Sequence, residues 1–203
     1  MLSLEDQLWA QGFGCIAGTD EAGRGPIAGP LVAAAVILDA PLYGLNDSKQ
    51  LSEKQRDALY TQLHNGGHAI GVAIKSAHDI DRYGIQHANL SAMAESIAAL
   101  SPVPEFVLVD GYHLDGLSQQ TMRVIKGDSR SLSIAAASIV AKVTRDRILL
   151  EMDKQYPGYG FARHKGYGTR EHLAALAELG PCPEHRRSFA PLAQQPKNTL
   201  PLL

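Results

Sequence analysis

An α/β domain built on a mixed central sheet is the fold class this sequence predicts, and three observations predict it. Short apolar runs alternate with amphipathic or helix-capped segments along most of the chain. The first two apolar runs are joined through a glycine turn, which suggests a hairpin and hence a sheet that is not wholly parallel. With 203 residues, 45% hydrophobic and 20% charged, the chain has the ordinary balance of a globular domain able to bury a substantial core.

The elements follow in order. A short amphipathic segment over 3–11 precedes a strand at 14–20 and a second at 30–38, rich in small apolar residues. Gly23, Gly25, Pro26, Gly29 and Pro30 mark the turn between them. Residues 43–50, "YGLNDSKQ", read as loop. Ser52 with Gln55 three residues later is a capping box, opening a helix to about His64 that Asn65-Gly66-Gly67 ends. A strand follows at 68–74, then a helical region from Ser76 broken near Tyr83-Gly84. The next helix, about 85–100, carries Met93, Ile97 and Leu100 on one face. Past Pro102 and Pro104, "EFVLVDG" reads as a central strand and 121–126 as another. Ser131 or Ser133 opens a helix over about 134–154, closed by Pro157-Gly158. A Gly- and aromatic-rich loop, a helix at about 170–179 and a Pro-rich tail complete the chain.

Composition excludes several classes. The net charge of −2 excludes a globally basic nucleic-acid binder, so a polyanion would be met by a local patch or through bound cations. Cys15 and Cys182 lie far apart in unlike contexts, which suggests reduced thiols in a cytoplasmic protein. The N-terminal residues lack the basic and apolar regions of a secretory signal. No apolar run approaches the roughly 18 residues of a membrane span. Neither a G-x-x-x-x-G-K nor a G-x-G-x-x-G loop occurs at 23–25, which disfavours nucleoside-triphosphate chemistry.

Acids sit at three strand ends: Asp20 with Glu21, Asp110, and Asp128. Brought to one sheet edge, they would raise one another's pKa values unless hard cations neutralised them. Mg²⁺ suits such oxygen ligands, and two such ions about 3.5–4 Å apart serve phosphodiester hydrolysis. Adjacent strand residues point to opposite faces, so a shared role for Asp20 and Glu21 requires the strand to end or bulge there. Alternatively, Arg24 pairs with Glu21 and the remaining acids are turn residues. Asp146, expected to pair with a neighbouring arginine, is a second candidate for the fourth acid.

Other segments suit nucleic acid. Gly23-Arg24-Gly25 brings backbone groups within reach of a 2′-hydroxyl, or is simply a tight turn. Ser48 and Lys49 precede a helix N-terminus, an anion site or an ordinary capped loop. Tyr167 stands between two glycines beside Arg163, His164 and Lys165, placed to stack on a sugar or base or to anchor its own loop. Arg123, Lys126, Arg130, Lys142, Arg145, Arg147 and "HRRSF" gather basic charge in the second half. The small residues of "IAAASIVAKVTRD" suit close helix–sheet packing.

In order and approximate spacing, "DEAGRGP", "NDSKQLSEKQR", "FVLVDG", "VIKGDSRSLSIAAASIVAKVTRD" and "FARHKGYGT" resemble the bacterial ribonuclease HII family, the type 2 ribonucleases H, over about 14–190. The resemblance implies a ribonuclease H-like fold over 1–158, with a small helical portion and tail over 159–203. It implies cleavage of RNA in RNA–DNA hybrids and incision 5′ to single ribonucleotides in duplex DNA, leaving 3′-hydroxyl and 5′-phosphate ends, by a monomer. By the family pattern Asp20, Glu21, Asp110 and Asp128 hold two Mg²⁺ or Mn²⁺ ions. Gly23, Arg24 and Gly25 read the 2′-hydroxyl, Tyr167 stacks near the junction sugar, and Lys49 contacts phosphate. The rivals are another nuclease of the same fold, such as a junction resolvase, and a non-catalytic hybrid-binding module.

Overall fold

The structure, a computed structural model, describes residues 3–42, 44–45, 48 and 50–194. Lys49 therefore lies outside the described residues. The elements run α1 (Ser3–Ala10), β1 (Ile16–Ala22), β2 (Leu31–Ile37), α2 (Glu53–Asn65), β3 (Ala69–Lys75), α3 (Ala77–Tyr83), α4 (Ile85–Ala98), β4 (Phe106–Asp110), β5 (Gln120–Val124), α5 (Leu132–Gln155), α6 (Phe161–His164) and α7 (Arg170–Leu179). A 3₁₀ turn at Gly127–Ser129 separates β5 from α5. The expected strands and helices are present, but the loop expected before α7 contains α6, a single turn opened by Gly160 with φ +79°.

The five strands form one mixed sheet in the order β3-β2-β1-β4-β5. β1 and β2 are the antiparallel hairpin that the glycine turn implies, paired from Ala17↔Ile37 to Ala22↔Val32. β3 adds antiparallel to β2, while β4 and β5 run parallel to β1. Both faces of the sheet are covered, which is why 31–37 is apolar throughout rather than alternating. Ala33 and Ala35 meet Ala88, Ala92, Met93 and Ile97 of α4. Val32, Ala34 and Val36 meet Ile139 and Val140 of α5, with Leu59 and Leu63 of α2.

Capping follows the side-chain pattern. Ser52 and Gln55 form the reciprocal box at α2, and Ser76 with Asp79 does the same at α3. Ser131 caps α5, its hydroxyl accepting from the Ile134 amide at 3.1 Å. Ser133 instead joins Ser131 on the buried Glu5, whose Oε1 accepts both hydroxyls at 2.6 and 2.5 Å and the Ser133 amide at 3.0 Å. A carboxylate at a helix N-terminus is electrostatically favoured, and this one fastens α1 to α5. Gly18 lets α5 lie against β1: a Cβ there would stand 2.2 Å from the Ile134 nitrogen.

Candidate active site

Parallel pairing of β1 with β4 sets the level of the acids. Thr19 lies opposite Val109, so Asp20 and Asp110, the next residue on each strand, come level at the carboxyl ends of two neighbouring parallel strands. There the chain order in the sheet also reverses direction, the place where open α/β sheets form ligand crevices. The cleft has a volume of about 430 Å³, and Asp20, Glu21, Gly23, Arg24, Gly25, Ser48, Asp110, Ser138, Lys142, Arg145 and Tyr167 line it.

The strand neither ends nor bulges between Asp20 and Glu21, contrary to the expectation. Both stay paired with β2, opposite Ala34 and Ala33. Instead the Asp20 carboxylate turns back along its own backbone, and Oδ1 accepts the Glu21 amide at 2.8 Å. That local bond lets two successive strand residues line one cleft. Asp20 is buried, and its pKa is raised well above the ordinary carboxylate range by that burial, then by the neighbouring Glu21 and Asp110. The Glu21 amide and the Ser138 hydroxyl partly offset the rise. Asp110 is fixed by the Gly127 amide, which donates to Oδ1 at 2.6 Å. Asp128 is the next residue along, in the 3₁₀ turn. Among the described residues no three His, Cys, Asp or Glu side chains form a ready metal cage.

The glycines at 23 and 25 serve different ends. A Cβ on Gly23 would meet Arg145 Nε at 2.2 Å, and its φ of +99° already favours glycine, so the space beside it belongs to the protein. A Cβ on Gly25 would meet only the Tyr167 ring, at 3.7 Å. Tyr167 is half exposed and stands over that glycine, so the turn and the aromatic form one wall. Arg24 donates to Gln86 Oε1 at 3.2 Å, and its guanidinium lies 4.9 Å from the centre of the Tyr112 ring. Asp146 pairs with Lys142 at 2.7 Å rather than with an arginine, because the helix places residue 142, four positions back, on the same face.

The sequence offers Lys142 and Arg145 only as members of a basic group and gives no sign that Ser138 lines the cleft or that Tyr112 lies against Arg24. Ser138, Lys142 and Arg145 recur at i, i+4 and i+7 along α5, one polar stripe among the several charged residues of its second half. Ser138 also bonds Ser48 at 2.8 Å, tying the segment before α2 to the acids. Tyr112 carries no comparable signal.

A five-stranded mixed sheet covered by helices on both faces, with carboxylates at the ends of β1 and β4, defines the ribonuclease H-like class. In agreement, the fold superposes on the crystal structure of ribonuclease H2 from Pyrococcus horikoshii with a TM-score of 0.75 at 26% identity, covering 89% of this chain and 96% of that one. Residues 17–192 match the family model for ribonuclease HII, and the chain belongs to that family. It is 57% identical over 197 residues to a ribonuclease HII of Geobacillus thermodenitrificans, covering 96% of this chain and 75% of the relative. A ribonuclease HII of Geobacter sp. is 56% identical, covering 94% and 84%. The chain is thus a type 2 ribonuclease H, an endoribonuclease. Among the described residues no helix is long and apolar enough to cross a membrane.

Proposed function

We propose that this enzyme hydrolyses the RNA strand of RNA–DNA hybrids and nicks duplex DNA on the 5′ side of a single embedded ribonucleotide. The observation that carries this is the junction of two features in one cleft: acids level at the ends of β1 and β4, and the Gly25–Tyr167 wall beside them.

Asp20, Glu21, Asp110 and Asp128 would hold two divalent cations, Mg²⁺ or Mn²⁺. The donor set fits hard cations, being carboxylate oxygen throughout, and the raised pKa of Asp20 marks a place where positive charge relieves repulsion. Mg²⁺ keeps several waters and completes its shell with substrate phosphate, so it asks for few protein ligands. When bound, such ions supply an activated water and stabilise the leaving oxygen. The chain's own groups do the rest. Ser138 and the Glu21 amide hold Asp20, and the Gly127 amide holds Asp110. Backbone groups of Gly23, Arg24 and Gly25 would meet the 2′-hydroxyl, Tyr167 would stack on the sugar, and Lys142, Arg24 and Lys49 would face phosphates. Water's oxygen adds to phosphorus, the bond to the 3′-oxygen breaks, and that oxygen takes up a proton, leaving 3′-hydroxyl and 5′-phosphate ends.

The test is a labelled duplex carrying one ribonucleotide, with an all-DNA control, in Mg²⁺, Mn²⁺ and chelator. A metal-dependent nick 5′ to the ribonucleotide, absent from the control, is expected. Equal cutting of both duplexes would point to another nuclease of this fold, and binding without cleavage to a hybrid-binding module.

A further inference from the structure

Arg186 is completely buried, yet the hydrogen bonds its guanidinium makes to described residues all go to backbone carbonyls. A buried arginine ordinarily faces a carboxylate. Here Nη2 donates to Gly23 O at 2.6 Å and Gly29 O at 2.8 Å, Nη1 to Arg24 O at 3.1 Å, and Nε to Gly29 O at 3.0 Å. The fork thus spans the two ends of the 23–29 turn and pulls its carbonyls to one side. The segment bearing it is zipped to the same turn: Gly29 N donates to Glu184 O at 2.9 Å, and Arg186 N to Ile27 O at 2.9 Å. Burial holds the Arg186 pKa down to about 9, so the guanidinium is still charged at neutral pH.

We infer that Arg186 is a positioning residue for ribose discrimination. By committing a lone pair on each of the Gly23 and Arg24 carbonyls, it fixes which backbone groups of the turn face the cleft. This inference rests on the proposed reading of the 2′-hydroxyl by residues 23–25. A lysine keeps the charge, but its single ammonium cannot bridge three carbonyls as a planar fork does.

The experiment compares affinity for a duplex with one ribonucleotide against an all-DNA duplex, by fluorescence anisotropy in Mg²⁺, in an Asp110→Asn parent expected to cut at least about a hundredfold more slowly, with the duplex checked as intact after each titration. Arg186→Lys is added to that parent. So, separately, is Asp81→Asn, which loosens the same segment where Asp81 accepts the Arg187 and Ser188 amides at 2.8 and 2.9 Å and removes a charge that favours the Arg186 guanidinium, while leaving that guanidinium's bonds to the turn in place. The parent is expected to prefer the ribonucleotide duplex. Arg186→Lys should reduce that preference about tenfold or abolish it, the scale of one lost hydrogen bond, with all-DNA affinity held within about twofold. Asp81→Asn should lower Tm and keep the preference. Should Arg186→Lys fail to fold, Phe189→Leu removes the ring 5.1 Å from the guanidinium and should weaken the preference in part. A preference intact in a folded Arg186 or Phe189 variant overturns the inference alone, as does equal loss in Asp81→Asn. A parent with no preference overturns the ribose reading and this inference together.

Discussion

Lowering pH should destabilise this protein through one buried histidine pair. The Cys182 amide donates to His185 Nδ1 at 3.1 Å, so that nitrogen carries no proton and the ring's hydrogen sits on Nε2. It is given to His172 Nε2 at 3.0 Å, which leaves the His172 hydrogen on Nδ1, donated to Tyr167 O at 2.9 Å. Both rings are neutral and every ring nitrogen is used. Another proton would set two donors face to face in an apolar setting lined by Phe161 and Tyr159. Burial first, then His172, with Arg187 and His164 adding, holds His185 down to about 4. In the unfolded chain it titrates near 6.5. The folded pKa is the lower one, so its contribution is complete above 6.5 and is lost as pH falls toward 4. The full loss is about 3 kcal/mol, of which about 2 kcal/mol falls between pH 7.5 and pH 5. Urea unfolding at those two values, for the wild type and His185→Gln, isolates it from the carboxylates. The wild type should lose about 2 kcal/mol more than the variant across that interval. Equal losses in the two proteins would refute the assignment.

Two further outcomes follow from the site and the packing beneath it. Asp110→Asn keeps an oxygen for the Gly127 amide and removes one of the charges raising Asp20, so cleavage should fall at least about a hundredfold while Tm holds or rises; a calorimetric Tm well below wild type would contradict it. Gly18→Ala drives a Cβ to 2.2 Å from the Ile134 nitrogen and 2.3 Å from the Ser133 carbonyl carbon, backbone atoms that cannot step aside. A loss of about 3 kcal/mol, the upper end of overpacking costs, should lower Tm by about 6–12 °C; a Tm within about 2 °C of wild type would refute the close approach.

Most of the fold was legible because it is written locally. The capping box at Ser52, the helix start at Ser76, the glycine turn after β1 and the apolar run of β2 each act within a few residues, and each formed where expected. α6 was not legible, since it is one turn set by a left-handed Gly160 and by its packing rather than by periodicity. Convergence of Asp20 with Asp110 was not legible either: it depends on β4 pairing parallel to β1 in a particular register, across 90 residues of sequence. The Asp20–Glu21 pair misled for a related reason. Strand alternation predicts opposite faces, yet both residues line the cleft, where the Asp20 carboxylate bonds the next amide.

Arg145 and Arg186 explain why acids and cations coexist in this cleft without cancelling each other. Arg145 spends its donors on Pro30 O at 2.9 Å, Lys165 O at 3.0 Å and Ala28 O at 3.2 Å, just as Arg186 spends its own on carbonyls of the same turn. Burial holds Arg145 down to about 10, yet it stays charged at neutral pH. An arginine free to swing would fold onto Glu21 or Asp20 and occupy the place of a metal ion. Held by rigid carbonyls, these two instead shape the turn from behind and lend positive potential to the wall that would face phosphate. The small net charge of the chain thus conceals two fixed fields of opposite sign, one at the strand ends and one behind the glycine turn.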